Sequence, residues 1–186
     1  MQEKENVMNI LGKARKAIIN GDAYAVKDLS NRTIHSSAIA QDPDNVNIAV
    51  VLYALSKIIE RDKYRDYASW PRFKKIYEQA LDNALIALKK GDIEVYRDQI
   101  NRIKEAVEKL SGNLKKYIEE VFRKASINKG SRIYEHGISL EKTAKILGIS
   151  QWDLASYIGQ TGLADVNLTY TKDLRERIKD AQEIFR

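Results

Sequence analysis

The stretch Ser139 to Ile158, SLEKTAKILGISQWDLASYI, sets two short apolar-periodic segments on either side of Gly148. Two helices that meet closely at a bend need a small residue where they approach and a turn residue able to take left-handed backbone. They also need apolar residues that pin both of them to a third helix. Ala144, Gly148 and the group Leu147, Ile149, Leu154 and Ile158 answer those needs in turn. Ser139 and Ser150 stand where N-caps are wanted. Lys142, rather than Glu or Gln, follows Ser139 by three, so the first is a plain cap and not a capping box. The spacing predicts a helix-turn-helix.

With Leu154 and Ile158 turned inward, the second helix presents Ser150, Gln151, Trp152, Ala155 and Ser156. Gln pairs with adenine in the major groove, Ser bonds base edges or phosphates, and an Ala methyl touches the thymine methyl. Duplex DNA is therefore the expected partner. That helix carries Asp153 and no Lys or Arg, so phosphate attraction has to come from Lys142, Lys145 and the helix before the motif. A hairpin that merely fills a core has the same alanine and glycine spacing, with Trp152 inside.

Upstream, Leu114, Tyr117, Ile118, Val121, Phe122 and Ala125 mark a helix that extends past Lys129-Gly130 toward His136. Its outer face is read as basic: Lys115, Lys116, Arg123, Lys124, Lys129 and Arg132 outnumber Glu119, Glu120 and Glu135. Lys115, Lys116, Arg123 and Lys124 are the phosphate-contact candidates. Ser111-Gly112-Asn113 is the expected boundary between a bundle over residues 1–112 and a helix-turn-helix domain over residues 113–186.

Before that boundary the pattern predicts five helices. Val7, Ile10, Leu11, Ala14, Ala17 and Ile18 stripe the first, and the second runs from about Asp22 to Ala40. Asp42-Pro43 starts a third, largely apolar helix, expected at the centre of the core. The fourth runs from Ser69-Trp70-Pro71 to Lys90-Gly91, and Asp92 caps the fifth, which continues to about Leu110. Tyr64, Tyr67, Trp70 and Phe73 interleave with Lys63, Arg65, Arg72, Lys74 and Lys75, a mixture that either stacks on single-stranded nucleic acid or closes the bundle end. The fold class expected is all-α, an N-terminal helical bundle followed by a C-terminal helix-turn-helix domain.

Composition narrows the chemistry. The chain has 186 residues, 44% hydrophobic and 31% charged, with a net charge of +6 that favours anionic partners. With no cysteine there is neither a disulfide nor a thiolate zinc site, and no cofactor or metal is expected. The charged N-terminus is unlike a signal peptide and the apolar run Ile48 to Leu55 is far shorter than a span, so a cytoplasmic protein without membrane contact is expected.

The string from Ile133 to Leu154 resembles the core of small prokaryotic helix-turn-helix proteins, many of them antitoxins or predicted regulators, often archaeal. The resemblance covers roughly Arg132 to Val166 and rests on Tyr134, Gly137 to Ser139, Ala144, Leu147 to Ser150 and Trp152. It implies DNA binding by the second helix and, in antitoxin members, a tail that occupies a toxin, commonly a PIN-domain ribonuclease. The long bundle before residue 112 departs from those small proteins. Leu174, Ile178, Ala181, Ile184 and Phe185 predict a last amphipathic helix that packs on its own domain, completes a homo-oligomer or binds another protein.

The chain is read as not an enzyme. The competing reading is a metal-independent ribonuclease of the HEPN-like helical-bundle type, whose motif separates Arg from His by four to six residues. Here Arg32 and His35 are separated by two, although on a helix they share a face. An interaction scaffold is the third reading.

Overall fold

A computed structural model of the chain describes residues 3–40, 42–110 and 112–161, without the side chains of residues 35–40 and 62. Among the described residues there are eight α-helices, one 3-10 helix and no strand. The fold is all-α, as expected. The helices are α1 (Lys4–Ile19), α2 (Ala23–Ala40), α3 (Pro43–Ile59), α4 (Trp70–Lys90), α5 (Ile93–Glu108), α6 (Gly112–Glu135), α7 (Leu140–Leu147) and α8 (Gln151–Gln160). The expected last helix, with Leu174 to Phe185, lies outside the described residues.

Local chemistry sets the starts and stops. The Asp42 side chain accepts from the Asp44 N–H with Pro43 at the first helical position, and Asp92 accepts from the Val95 N–H at the head of α5. α3 is apolar on nearly every side, and a helix of that kind must be covered all round. Ile48, Val51, Leu52, Ala54 and Leu55 are fully buried in it, and α2, α5, α6 and α7 all pack on it.

Polar contacts hold the layers in register. Arg97 makes a two-pronged pair with Asp44 at 2.9 and 3.0 Å, joining α5 to the start of α3, and Arg15 pairs with Asp82 between α1 and α4. The segment before α4 folds as a 3-10 helix, Asp62–Asp66, that drives Tyr64 into the core. Tyr64, Trp70 and Phe73 are buried and Tyr67 packs against the same cluster, so these aromatics close the bundle end rather than offering a stacking surface.

α6 spans two environments. Leu114, Ile118, Val121 and Ala125 lie in the large core with α1 to α5. Ile133 and the following Ile138 lie in a smaller cluster with Ile34 of α2 and with Val46 and Ala49 of α3, against which Ile146 and Leu147 of α7 pack. α6 begins at Gly112, within the stretch that the sequence pattern marks as a boundary, and its first half shares the bundle core.

Candidate nucleic-acid interface

The α7–α8 corner is assembled from short-range chemistry. The Ser139 hydroxyl accepts from the Lys142 N–H at 3.3 Å and starts α7. Gly148 ends α7 at φ 63°, and the Ile149 N–H donates to the Ala144 carbonyl at 3.1 Å, closing the turn. The Ser150 hydroxyl then accepts from the Trp152 N–H at 3.1 Å and starts α8. Ala144, Leu154 and Ile158 are buried together, flanked by Tyr134, Leu140 and Ile149.

The third helix that receives this corner is α6, at Gly130. A Cβ there would stand 3.0 Å from both Leu147 Cδ1 and Leu154 Cδ1 and 3.5 Å from Ile149 Cδ1. Glycine lets both arms approach the α6 backbone. The sequence pattern runs α6 straight through this position and gives the glycine no role; its lone placement among helix formers is the one signal of a close approach.

The side chains expected to meet DNA are exposed. Gln151, Ala155 and Ser156 face outward on α8 with Ser150 at its head, and Lys142 and Lys145 face outward on α7. Trp152 is 82% exposed, which removes the core-filling alternative for that residue.

Beside α8 lies a groove of about 630 Å³ that runs between it and the α3–α6 pair. Trp152, Asp153, Ser156, Tyr157 and Gln160 form its α8 wall, Arg123, Lys124, Ile127 and Asn128 come from α6, and Tyr53, Lys57, Glu60 and Arg61 come from the end of α3. The structure therefore brings Trp152 and Ser156 together with Arg123 and Lys124. Lys115, Lys116, Lys142, Lys145, Gln151 and Ala155 do not line this groove. Lys57 and Arg61 carry no signal of this placement in the sequence, because no local pattern links the end of α3 to a helix about ninety residues later.

The basic face of α6 is partly neutralised. Arg123 makes two bonds to Glu120 at 2.9 and 3.0 Å, Lys124 reaches the same carboxylate at 3.3 Å, and Lys115 lies 3.7 Å from Glu119. Hydrogen bonding from Arg123 is the main influence that holds the Glu120 carboxyl down at about 2. Arg61 instead donates to the neutral Tyr64 hydroxyl at 2.8 Å.

Lys129 departs from the expected outer face. It is wholly buried, with Nζ donating to Asn31 Oδ1 at 2.7 Å and lying 4.2 Å from the centre of the Tyr53 ring. Its ammonium ties α6 to α2 and α3. Burial, assisted by the nearby positive charges of Arg132 and Lys27, pushes it down to about 7. The helical period explains the inversion: Lys129 follows Ala125 by four residues and shares its inward face.

For the ribonuclease reading, Arg32 is exposed and paired with Asp28 at 2.8 Å, and the side chain of His35 lies outside the described residues. Among the described residues no three His, Asp or Glu side chains gather as a metal site, and no helix is long and apolar enough to cross a membrane. The chain matches no protein-family model, and neither a curated protein nor a solved structure is similar enough to it to count as a match.

Proposed function

We propose that α7 and α8 form a DNA-reading helix-turn-helix and that the protein is a transcriptional regulator or an antitoxin-like protein. One observation carries this reading: the corner is seated on α6 through Gly130, with its turn at a left-handed Gly148, and α8 keeps Gln151, Trp152, Ala155 and Ser156 outside. A helix packed at its back, with its outer face free for base edges, is the arrangement that major-groove reading requires. Ser150 and Gln151 stand at the N-terminal end of α8, where backbone N–H groups also favour phosphate. Arg123 and Lys124 stand beside it and serve as phosphate contacts, with Lys142 and Lys145 on α7.

Selection from a random duplex library tests the reading. An enriched sequence is expected, and the double change Gln151→Ala, Ser156→Ala loses discrimination against random DNA by ~1–3 kcal/mol per good bidentate contact while stability holds. Absence of any enriched sequence, together with no duplex affinity at low salt, overturns it. Metal-free cleavage of RNA that His35→Ala abolishes would establish the ribonuclease reading instead.

A further inference from the structure

The groove beside α8 carries more than reading a duplex demands. Its volume of about 630 Å³ lies within the ~300–1,000 Å³ typical of small-molecule sites. Three aromatic residues line it: Trp152 and Tyr157 from α8, and Tyr53 from α3. Four basic side chains, Lys57, Arg61, Arg123 and Lys124, stand against two acids, Glu60 and Asp153. Lys57 is engaged by Glu60 at 2.7 Å and Glu120 is shared between Arg123 and Lys124, so a positive excess remains, centred on Arg61 with its neutral phenol partner. Asn128 and Tyr157 both line the groove, and Asn128 donates to the Tyr157 hydroxyl at 3.3 Å, joining α6 to α8.

An exposed indole beside guanidinium and ammonium groups suits a ligand with a flat π face at one end and an anion at the other. A hydrocarbon would leave the positive excess of the groove unbalanced, and a bare anion would leave the indole in water. We infer that this groove binds a nucleotide, with its base stacked on Trp152 and its phosphate held among Arg61, Arg123 and Lys124. Base–aromatic stacking tolerates any base, and Arg and Lys together supply the phosphate contact. A free mononucleotide and a nucleotide of an unpaired strand present the same two groups. The inference does not rest on duplex reading by α8, although an occupant of the groove covers Trp152 and Ser156 and so competes with it.

The two tryptophans of the chain separate the signal: Trp70 is buried against Phe73 and Tyr77, so quenching by a ligand in the groove comes from Trp152. The full-length protein is titrated at low salt with AMP, adenosine, inorganic phosphate and a short oligothymidylate, followed by fluorescence and by calorimetry. AMP is expected to quench Trp152 and to bind about tenfold or more tighter than adenosine or phosphate. Arg61→Gln with Lys124→Gln, both exposed, is expected to reduce AMP affinity by at least about tenfold and to leave adenosine unchanged. Trp152→Phe removes the quenching, and calorimetry still detects AMP, more weakly. The oligothymidylate binding more tightly than AMP points to an unpaired strand as the source; AMP binding equally or more tightly points to a free nucleotide. The inference is overturned if AMP gives neither quenching nor heat up to about 5 mM, or if the Arg61/Lys124 variant binds AMP as the unaltered protein does. Duplex selection is a separate readout, so failure of either proposal is seen without the other.

Discussion

Two glycines decide how the α7–α8 corner sits, and one buried lysine ties α6, on which it sits, to α2 and α3. At Gly148 the backbone holds φ 63° and a Cβ would meet nothing within 4 Å, so the cost of a side chain there is conformational. Gly148→Val should therefore lower stability by about 1–3 kcal/mol and Gly148→Asn by less than about 1 kcal/mol, read from denaturant unfolding. Equal losses would mean that the turn does not depend on left-handed backbone. Gly130 is the opposite case, limited by space. Alanine there gains about 1 kcal/mol of helix propensity but crowds the Leu147 and Leu154 methyls, which stand 3.0 Å from its Cβ position. Gly130→Ala should fall within about 1 kcal/mol of the unaltered protein, whereas Gly130→Leu should cost about 1–3 kcal/mol and speed hydrogen exchange in residues 140–158. Lys129 carries a pH signature. Its folded-state value of about 7 lies below the ordinary lysine value, so between about pH 7 and 10 the unfolded chain binds the extra proton and stability rises with pH. Below about pH 7 both states are protonated and the full cost of the buried charge stands. Lys129→Met should raise stability at pH 6.5 and flatten the rise up to pH 9.5, beneath the range where the buried Tyr77 and Tyr96 titrate, both pushed up by burial. Lys104, also lowered by burial, gives a slope of the same sign in both proteins, so the difference between them isolates Lys129.

At the scale of the element, α6 is a shared strut with a partly neutralised basic face. Lys115 and Lys116 stand about 12 Å along the axis from Arg123 and Lys124, given a rise of ~1.5 Å per residue. Only the second pair borders the groove beside α8. Replacing Arg123 and Lys124 with Gln should therefore weaken duplex binding and reduce its salt slope by about one unit for each phosphate no longer neutralised, and more than the same change at Lys115 and Lys116. Glu120 divides its charge between Arg123 and Lys124. Glu120→Gln should free both and steepen the slope. An unchanged slope in both variants would leave this face as solvated surface, where pairs of this kind contribute little.

Across the whole molecule, the large core and the smaller cluster are joined by α2, α3 and α6, each of which places buried residues in both, and by α7 resting on α3. Cutting the chain at residue 112 would uncover Leu114, Ile118, Val121 and Ala125 on one piece and their counterparts on α3 and α5 on the other. Unfolding of the full chain should be a single transition by fluorescence and circular dichroism, and the fragment 1–112 should be markedly less stable than the whole. Two separated transitions, with the first fragment as stable alone as in the chain, would show that the cores fold independently.

The helices themselves were legible in the residues. Asp42-Pro43, Asp92 and Gly91 act within one turn of chain, and the stripe of Val7, Ile10, Leu11 and Ala14 needs only a period of 3.6. The Ala144, Gly148 and Ser150 corner was legible for the same reason, since each residue answers a demand made within four or five positions of it. Tertiary structure decided the rest. The helical period set Lys129 on the inward face of Ala125, but charge composition pointed the other way because lysine is almost never buried, and only the packing of α6 supplied the Asn31 and Tyr53 that receive it. Glycine at 130 acquired its meaning only when Leu147 and Leu154 were brought against it. Lys57 and Arg61 joined Trp152 and Arg123 around one groove because α3 ends beside α8. Local sequence specifies local hydrogen bonding and periodicity, whereas a site assembled from three distant helices exists only once their apolar faces have chosen their partners.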